Sequence, residues 1–590
     1  MKKTNTKEKT IKSQTFVKGA MIMSLALVVV KICGMIYKVA LTRVYGIFGD
    51  ELAEFGIGLF NNAYEIYVPL FTIATAGLPI AVSRMISESN AQKRYKDIRQ
   101  IHKVSIPFFL LMGIICTLLM FCGSFFYVNL IGSPYAIYSM IALCPTIFFG
   151  CLVSIYRGYF EGMRNMTPTS VSEIIEGASK LCFGLTFSYL IMHFGLNSYE
   201  STGTIFGLVF DSEKNAIYTI VGFSVAGAVM GIVVGTVLSF LYLIIKYKRM
   251  KGGITQEQLK SSVDARAKNE TFRQLIKTAI PIGLGALVMN ISGTIDGAII
   301  QNILADMSVT HGDELIKIYP MYKDAISDGT IQTKLWGCYG SALTLMQLVT
   351  VITQAFGTTA MPMVTNAYTK GDKKELRIAI NRVLKLTCLV TFPCGIGLAV
   401  LARPIMDIVY GGNVAVVGGG CLEIMGIAVL FMAGITPICS MLQGVGKVNT
   451  PVKLYSVAVI IKIIMNYLLV SIVGINVKGA ATGTLVGFLV ACIIAMYVLV
   501  KSTGIRPDFV NAMIKPLISA IICGAVAFIS FILLDSHMNI YFSTLLSIGL
   551  AGVSYVISII ILKVFDEKDT AMLKNSGKFG KILAKLHIIR

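Results

Sequence analysis

Lys31 and Lys38 lie seven residues apart inside one apolar stretch, and Arg43 follows five residues later. Seven residues is close to two helical turns, so on a helix both ammonium groups share a face. A charge at membrane depth costs several kcal/mol unless it meets a partner or a water-filled cavity. Other polar groups recur inside apolar runs. Asn61, Asn62 and Glu65 occupy the second run, Glu173, Glu176 and Lys180 the fifth, Asp296 the seventh, Gln347 and Gln354 the eighth, and Lys462 and Asn466 the eleventh. Together they suggest a cationic cavity that receives an anionic head group. The competing readings are lysines that snorkel from span ends and Glu/Lys pairs that neutralise each other, as an i, i+4 pair of Glu176 with Lys180 would.

Other chemistries find no support. No GxxxxGK[ST] phosphate loop, HExxH or CxxC is present, and the five histidines fall in loops, near span ends or in the tail. No catalytic residues, metal ligands or cofactor are expected; a coupling ion is the one small ligand the reading leaves open. The thirteen cysteines lie mostly in apolar segments and read as small core residues.

These side chains need membrane helices to position them. The chain has 590 residues, 55% apolar and 14% charged, with a mean hydropathy of +0.75, against roughly a quarter charged for soluble domains. Apolar runs predict about fourteen transmembrane helices, near 17–41, 55–83, 105–131, 135–156, 168–194, 217–245, 275–303, 336–366, 383–410, 422–442, 452–474, 479–500, 513–534 and 541–563. The net charge of +21 is spread over alternate loops rather than one patch, which excludes a nucleic-acid partner and fits positive-inside topology. Basic loops such as the one with Lys93, Arg94, Lys96 and Arg99, and the basic tail, then face the cytoplasm. The expected location is the cell membrane, multi-pass, with both termini cytoplasmic.

A duplication runs through the first twelve spans. Val225-Ala226-Gly227-Ala228-Val229-Met230-Gly231 with Val234-Gly235 returns as Val477-Lys478-Gly479-Ala480-Ala481-Thr482-Gly483 with Val486-Gly487, both VxGAxxGxxVG. Glu161-Gly162 and Thr167-Pro168 return as Gln443-Gly444 and Thr450-Pro451. Glycines four apart allow close helix packing, but packing alone does not explain a whole shared pattern. The expected organisation is an N-terminal six-helix lobe (1–245), a cytoplasmic linker (246–274), a C-terminal six-helix lobe (275–500), two further helices (501–565) and a basic tail (566–590) with an interfacial helix at 578–590. Halves of this kind commonly hold a substrate cavity that opens alternately to each side.

The same segments resemble the oligosaccharidyl-lipid flippases of the MOP superfamily, in the stage V sporulation protein B and MurJ-like polysaccharide biosynthesis branch of Gram-positive bacteria. The carriers are Lys31-Ile32-Cys33-Gly34-Met35-Ile36-Tyr37-Lys38 with Leu41-Thr42-Arg43, Arg157-Gly158-Tyr159-Phe160-Glu161-Gly162-Met163-Arg164-Asn165-Met166-Thr167-Pro168-Thr169, and Leu442-Gln443-Gly444-Val445-Gly446-Lys447. The resemblance implies an all-α, MATE-like fold of two parallel six-helix repeats plus two extra C-terminal helices, and a flippase rather than an enzyme. Its substrate would be an undecaprenyl-diphosphate-linked oligosaccharide, most readily the peptidoglycan precursor lipid II, and its partners membrane lipids and cell-wall synthesis proteins. The expected binding set is Lys31, Lys38 and Arg43 for the diphosphate, with Asn61, Asn62, Glu65, Asp296 and Gln347 lining the cavity. Where the family places arginines in spans one, two and eight, this chain carries Lys31 with Tyr37 or Lys38, then Asn61, Asn62 and Glu65, then Leu343, Met346 and Gln347. Lysine lacks the bidentate guanidinium fork. A flippase for another envelope precursor, a cation-coupled multidrug exporter of the same fold and a non-transporting scaffold are the alternatives.

Overall fold

In lipid, backbone groups must be satisfied within the segment, so apolar runs of this length form helices. The computed structural model bears this out and describes residues 16–564 apart from 76, 206 and 211. The basic N-terminal residues and the expected interfacial helix at 578–590 lie outside the described residues.

In chain order the helices are α1 (Phe16–Phe48), α2 (Asp50–Thr75), α3 (Gly77–Ala91), α4 (Tyr95–Ile131), α5 (Ala136–Gly162), α6 (Thr167–Ser179), α7 (Leu185–Thr202), α8 (Glu213–Arg249), α9 (Gln256–Lys260) and α10 (Lys268–Thr310). There follow α11 (Gly312–Ile318), α12 (Lys323–Ser327), α13 (Ile331–Thr369), α14 (Lys373–Val400), α15 (Ala402–Val409), α16 (Gly412–Gly444), α17 (Thr450–Val470), α18 (Val477–Thr503), α19 (Lys515–Asp535) and α20 (Ile540–Ile561). A two-residue hairpin, β1 (Thr204–Ile205) against β2 (Leu208–Val209), precedes α8. Thirteen helical segments among the described residues are long and apolar enough to cross a membrane. The seventh expected span falls in the 43-residue α10.

The chain divides into two compact units, Met1–Gly337 and Cys338–Arg590, with the boundary inside α13. In the first, α5 packs on α4 and α8, α8 on α6 and α7, and α10 on α2, α3 and α4. The seventh expected span is therefore packed with the first unit. In the second, α16 packs on α14 and α18, and α18 on α17. The last two helices, α19 and α20, pair with each other, and α19 lies on α14. Tyr555 of α20 also donates a 2.8 Å hydrogen bond to the Leu389 carbonyl of α14.

The glycine motif is used in the same way in each unit. In α8, a Cβ on Gly231 would overlap the backbone of Gly184, and one on Gly235 would lie 3.0 Å from the Glu176 carbonyl oxygen. In α18, a Cβ on Gly483 would overlap the Asn466 side chain, and one on Gly487 would lie 2.6 Å from the Ala458 carbonyl oxygen. Both helices that receive these faces start with proline in the first turn, at Pro168 and at Pro451. Proline is tolerated there because its missing N–H would have no helical partner.

The polar linker between α8 and α10 is clasped to the start of α4. The Tyr159 hydroxyl donates to the Gly252 carbonyl at 2.6 Å, and Thr255 and Gln258 form a capping box for α9. Asp97 is buried, accepts from the Arg266 backbone N–H at 2.8 Å and pairs with Arg94 at 2.5 Å. Lys96 reaches Asp264 at 2.7 Å. That hydrogen bond, with the lysine charge behind it, holds the Asp264 carboxyl below its usual range.

Candidate functional site: a caged lysine cluster in the first unit

The sequence-predicted residues fall into two groups. On α1, Lys38 is buried whereas Lys31, two turns earlier on nearly the same face, is exposed, as is Arg43. Asn61 and Asn62 of α2 are buried and Glu65 is half-buried. Asp296 of α10 is 2% exposed and accepts from Ser292 at 3.3 Å. Gln347 belongs to the second unit, on an exposed face of α13.

A residue outside the expected binding set organises the first group. Lys180 donates a 2.7 Å hydrogen bond to the Tyr64 hydroxyl, and its Nζ lies 4.7 Å from the centre of the Tyr37 ring, 4.9 Å from that of Tyr64 and 5.6 Å from that of Phe60. An ammonium over aromatic faces is attracted by their quadrupoles, the more so when water is excluded. Lys38 interacts electrostatically with Glu65 and with Lys180, and Lys31 with Lys180. Lys180 of the α6–α7 segment thus couples the two α1 lysines, and Lys38 also feels the Glu65 carboxylate of α2.

The Glu176–Lys180 pair of the competing reading is not the one formed. Glu176 is held by Arg157 of α5 at 3.0 Å, and Arg157 also donates to Ser172 at 2.9 Å. Each side chain is taken by a group from another helix, Glu176 by Arg157 and Lys180 by Tyr64. Residues Lys180–Gly184 form one π-helical turn between α6 and α7, and a π turn inserts a residue and rotates everything after it. Lys180 itself keeps α-helical geometry, its N–H bonded to the Glu176 carbonyl, and the π turn follows it. Gly184 ends the turn against α8 and Tyr37, and the Tyr37 hydroxyl donates to the Ala228 carbonyl at 2.8 Å, which fixes one wall of the cage.

The α2–α10 contact supplies the other wall. Asn62 and Gln301 exchange two side-chain hydrogen bonds, at 3.1 and 2.8 Å. Thr294 donates to the Glu65 carbonyl oxygen, and Gly293 leaves room for the Glu65 carboxylate, which a Cβ there would strike. Tyr127 of α4 donates to the Thr294 carbonyl at 3.3 Å and feels the charges of both Glu65 and Asp296. Gln301 carried no signal in the sequence beyond a polar residue in an apolar run. Lys180 carried one, a lysine deep in the fifth span. Among the described residues no group of three or more His, Cys, Asp or Glu side chains is placed to hold a metal ion.

Such a cluster can bind an anion at membrane depth and carries no nucleophile–base arrangement. Comparison with known proteins points the same way. The family model described as polysaccharide biosynthesis protein matches residues 16–367, and that described as lipid II flippase MurJ matches residues 198–552. The lipid II flippase MurJ of Bacillus subtilis (strain 168) is 22% identical over 505 residues, covering 83% of this chain and 84% of that protein. Stage V sporulation protein B of the same organism is 22% identical over 486 residues, covering 82% and 83%. Among solved structures, a lipid II flippase MurJ in an inward closed conformation shares the fold with a TM-score of 0.61 at 15% identity, covering 92% of this chain and 98% of that one. An inward-facing multidrug resistance MATE transporter of the MOP superfamily does so at 0.59 and 13%, covering 81% and 98%. The family and its neighbours are flippases and transporters, not enzymes. This multi-pass membrane chain belongs to the polysaccharide biosynthesis and lipid II flippase MurJ family.

Proposed function

We propose that the chain flips an undecaprenyl-diphosphate-linked oligosaccharide, lipid II first among them, across the cytoplasmic membrane by exposing its lysine cluster to the two faces in turn. The observation that carries this reading is the grouping of Lys180 with Lys38 and Lys31, Lys38 also beside Glu65, within membrane-spanning helices. A diphosphate brings the negative charge that such a site lacks, and a lysine cluster binds it as point charges rather than through arginine forks. The family relationship supports the lipid-linked sugar as cargo. Both termini and the 246–274 linker are cytoplasmic in this proposal, on the distribution of basic loops. Membrane potential, or a coupling ion held near Glu65 and Asp296, drives the step, since either acts on charge moved through the protein.

The test is translocation of labelled lipid II in proteoliposomes containing the purified full-length protein, with Lys38→Ala and Lys180→Ala variants alongside. A second arm supplies a different undecaprenyl-diphosphate saccharide, and a third a cationic dye. Movement of lipid II that is lost in both variants is the expected result. Movement of only the second lipid reassigns the sugar, and dye export with neither lipid moving overturns the flippase reading.

A further inference from the structure

A cavity of about 680 Å³ opens between α4 and α10, away from the lysine cluster. On α4 its wall runs Lys96, Arg99, Lys103 and then Leu111, positions three, four and eight apart that follow one helix face. On α10 the wall runs Lys268 and then Phe272, one turn further in. Both helices enter from the linker side, because Asp97 at the start of α4 holds Arg266 just before α10. Both walls therefore change from basic to apolar in the same direction. At 1.5 Å per residue, Lys103 and Leu111 are separated by about 12 Å along the helix.

The charges at the mouth are unequal in availability. Lys96 is paired with Asp264, whereas Arg99, Lys103 and Lys268 make no ion pair among the described residues. The apolar end is open, with Leu111 56% and Phe272 40% exposed. Three free cations over an exposed apolar slot match an amphiphile whose anionic head lies at the interface and whose chains run into the membrane. A soluble anion would use the cations and leave the slot uncovered.

We propose that this groove is a binding site for an anionic glycerophospholipid, its head-group phosphate against Arg99, Lys103 and Lys268 and an acyl chain along Leu111 and Phe272. Its leaflet is the cytoplasmic one under the orientation proposed above; binding itself does not depend on that orientation or on the flippase reading. The basic cytoplasmic rim of a membrane protein is where anionic head groups gather.

Native mass spectrometry of the full-length protein released from detergent micelles tests it, with phosphatidylglycerol, phosphatidylcholine of the same acyl chains, and glycerol phosphate as separate probes. Retained phosphatidylglycerol, weakened about tenfold or more in the triple variant Arg99→Gln, Lys103→Gln, Lys268→Gln, is the expected result. A charge-keeping variant, Arg99→Lys, Lys103→Arg, Lys268→Arg, should retain the lipid, which separates lost charge from lost folding. Equal retention of phosphatidylcholine, unchanged retention by the neutral triple variant, or displacement of the lipid by glycerol phosphate at equal concentration would each overturn the proposal. Lipid retention is read without translocation, so failure here leaves the flippase reading standing, and the converse holds.

Discussion

Lys180 gives its hydrogen bond to Tyr64, 116 residues away, while Glu176, one turn before it on the same helix, is taken by Arg157. The lysine thereby keeps aromatic rather than acidic company. Lys180→Met should abolish translocation while leaving expression near wild type. Tyr64→Phe keeps the ring and loses one hydrogen bond, a net effect of about 1 kcal/mol, so it should slow transport only modestly. Arg157→Met should resemble Lys180→Met in part, because it releases Glu176 to compete for the ammonium. The measurement is the initial rate in the proteoliposome assay; full activity in Lys180→Met would remove this residue from the site.

Asn62 and Gln301 form a closed pair of amides with no exposure to solvent. Removing one partner leaves the other buried and unsatisfied, at a cost of about 1–3 kcal/mol. Asn62→Ala should lower the thermal midpoint in detergent more than the double variant Asn62→Leu, Gln301→Leu, in which neither donor nor acceptor remains. Additive losses in the two single variants and the double would show that the pair is not coupled.

The clasp between the linker and α4 should be acid-sensitive. Asp264 has its carboxyl pulled down by the hydrogen bond from Lys96, so the clasp gains from the ionised form. A depressed carboxyl contributes fully above its unfolded value of about 4 and loses that contribution as pH falls through the lower folded value. Protection factors of residues 255–266, taken against the intrinsic exchange rate at each pH, should therefore be unchanged from pH 8 down to about 5 and fall below about 4. Asp264→Asn should show the lowered protection already at neutral pH; equal protection in the variant would place the clasp elsewhere.

Much of this architecture is legible in the sequence, because apolar runs of membrane length leave the backbone no alternative to helices. Span one was readable down to the buried Lys38. The exposure of Lys31 was not, since a shared helix face says nothing about where neighbouring helices end. The Asn62–Gln301 contact joins positions 239 apart and has no local signature. The π turn at Lys180 was hidden for a different reason. Its stretch Lys180-Leu181-Cys182-Phe183-Gly184 is ordinary helix-forming sequence, and only the fit of Gly184 against Tyr37 and α8 selects the extra residue. The Glu176–Lys180 pairing that i, i+4 spacing offered is replaced by partners distant in sequence, which that spacing does not show.

The duplicated glycine motif makes matched predictions in the two units. Gly231→Val would drive a side chain into the backbone of Gly184, and Gly487→Val would drive one into the Ala458 carbonyl. Neither obstacle is a flexible side chain, so the helices must separate, at a cost of at least the 1–3 kcal/mol typical of overpacked cores. Gly34 in α1 has nothing within 4 Å of a built Cβ, and Gly34→Ala should behave as wild type. Because Gly231 packs on Gly184, which itself abuts the Tyr37 wall of the cage, its substitution should reduce transport beyond its effect on stability. Gly487→Val should lower stability and transport together, and a shared ratio of transport to folded protein in both valine variants would show that the cage does not depend on this contact.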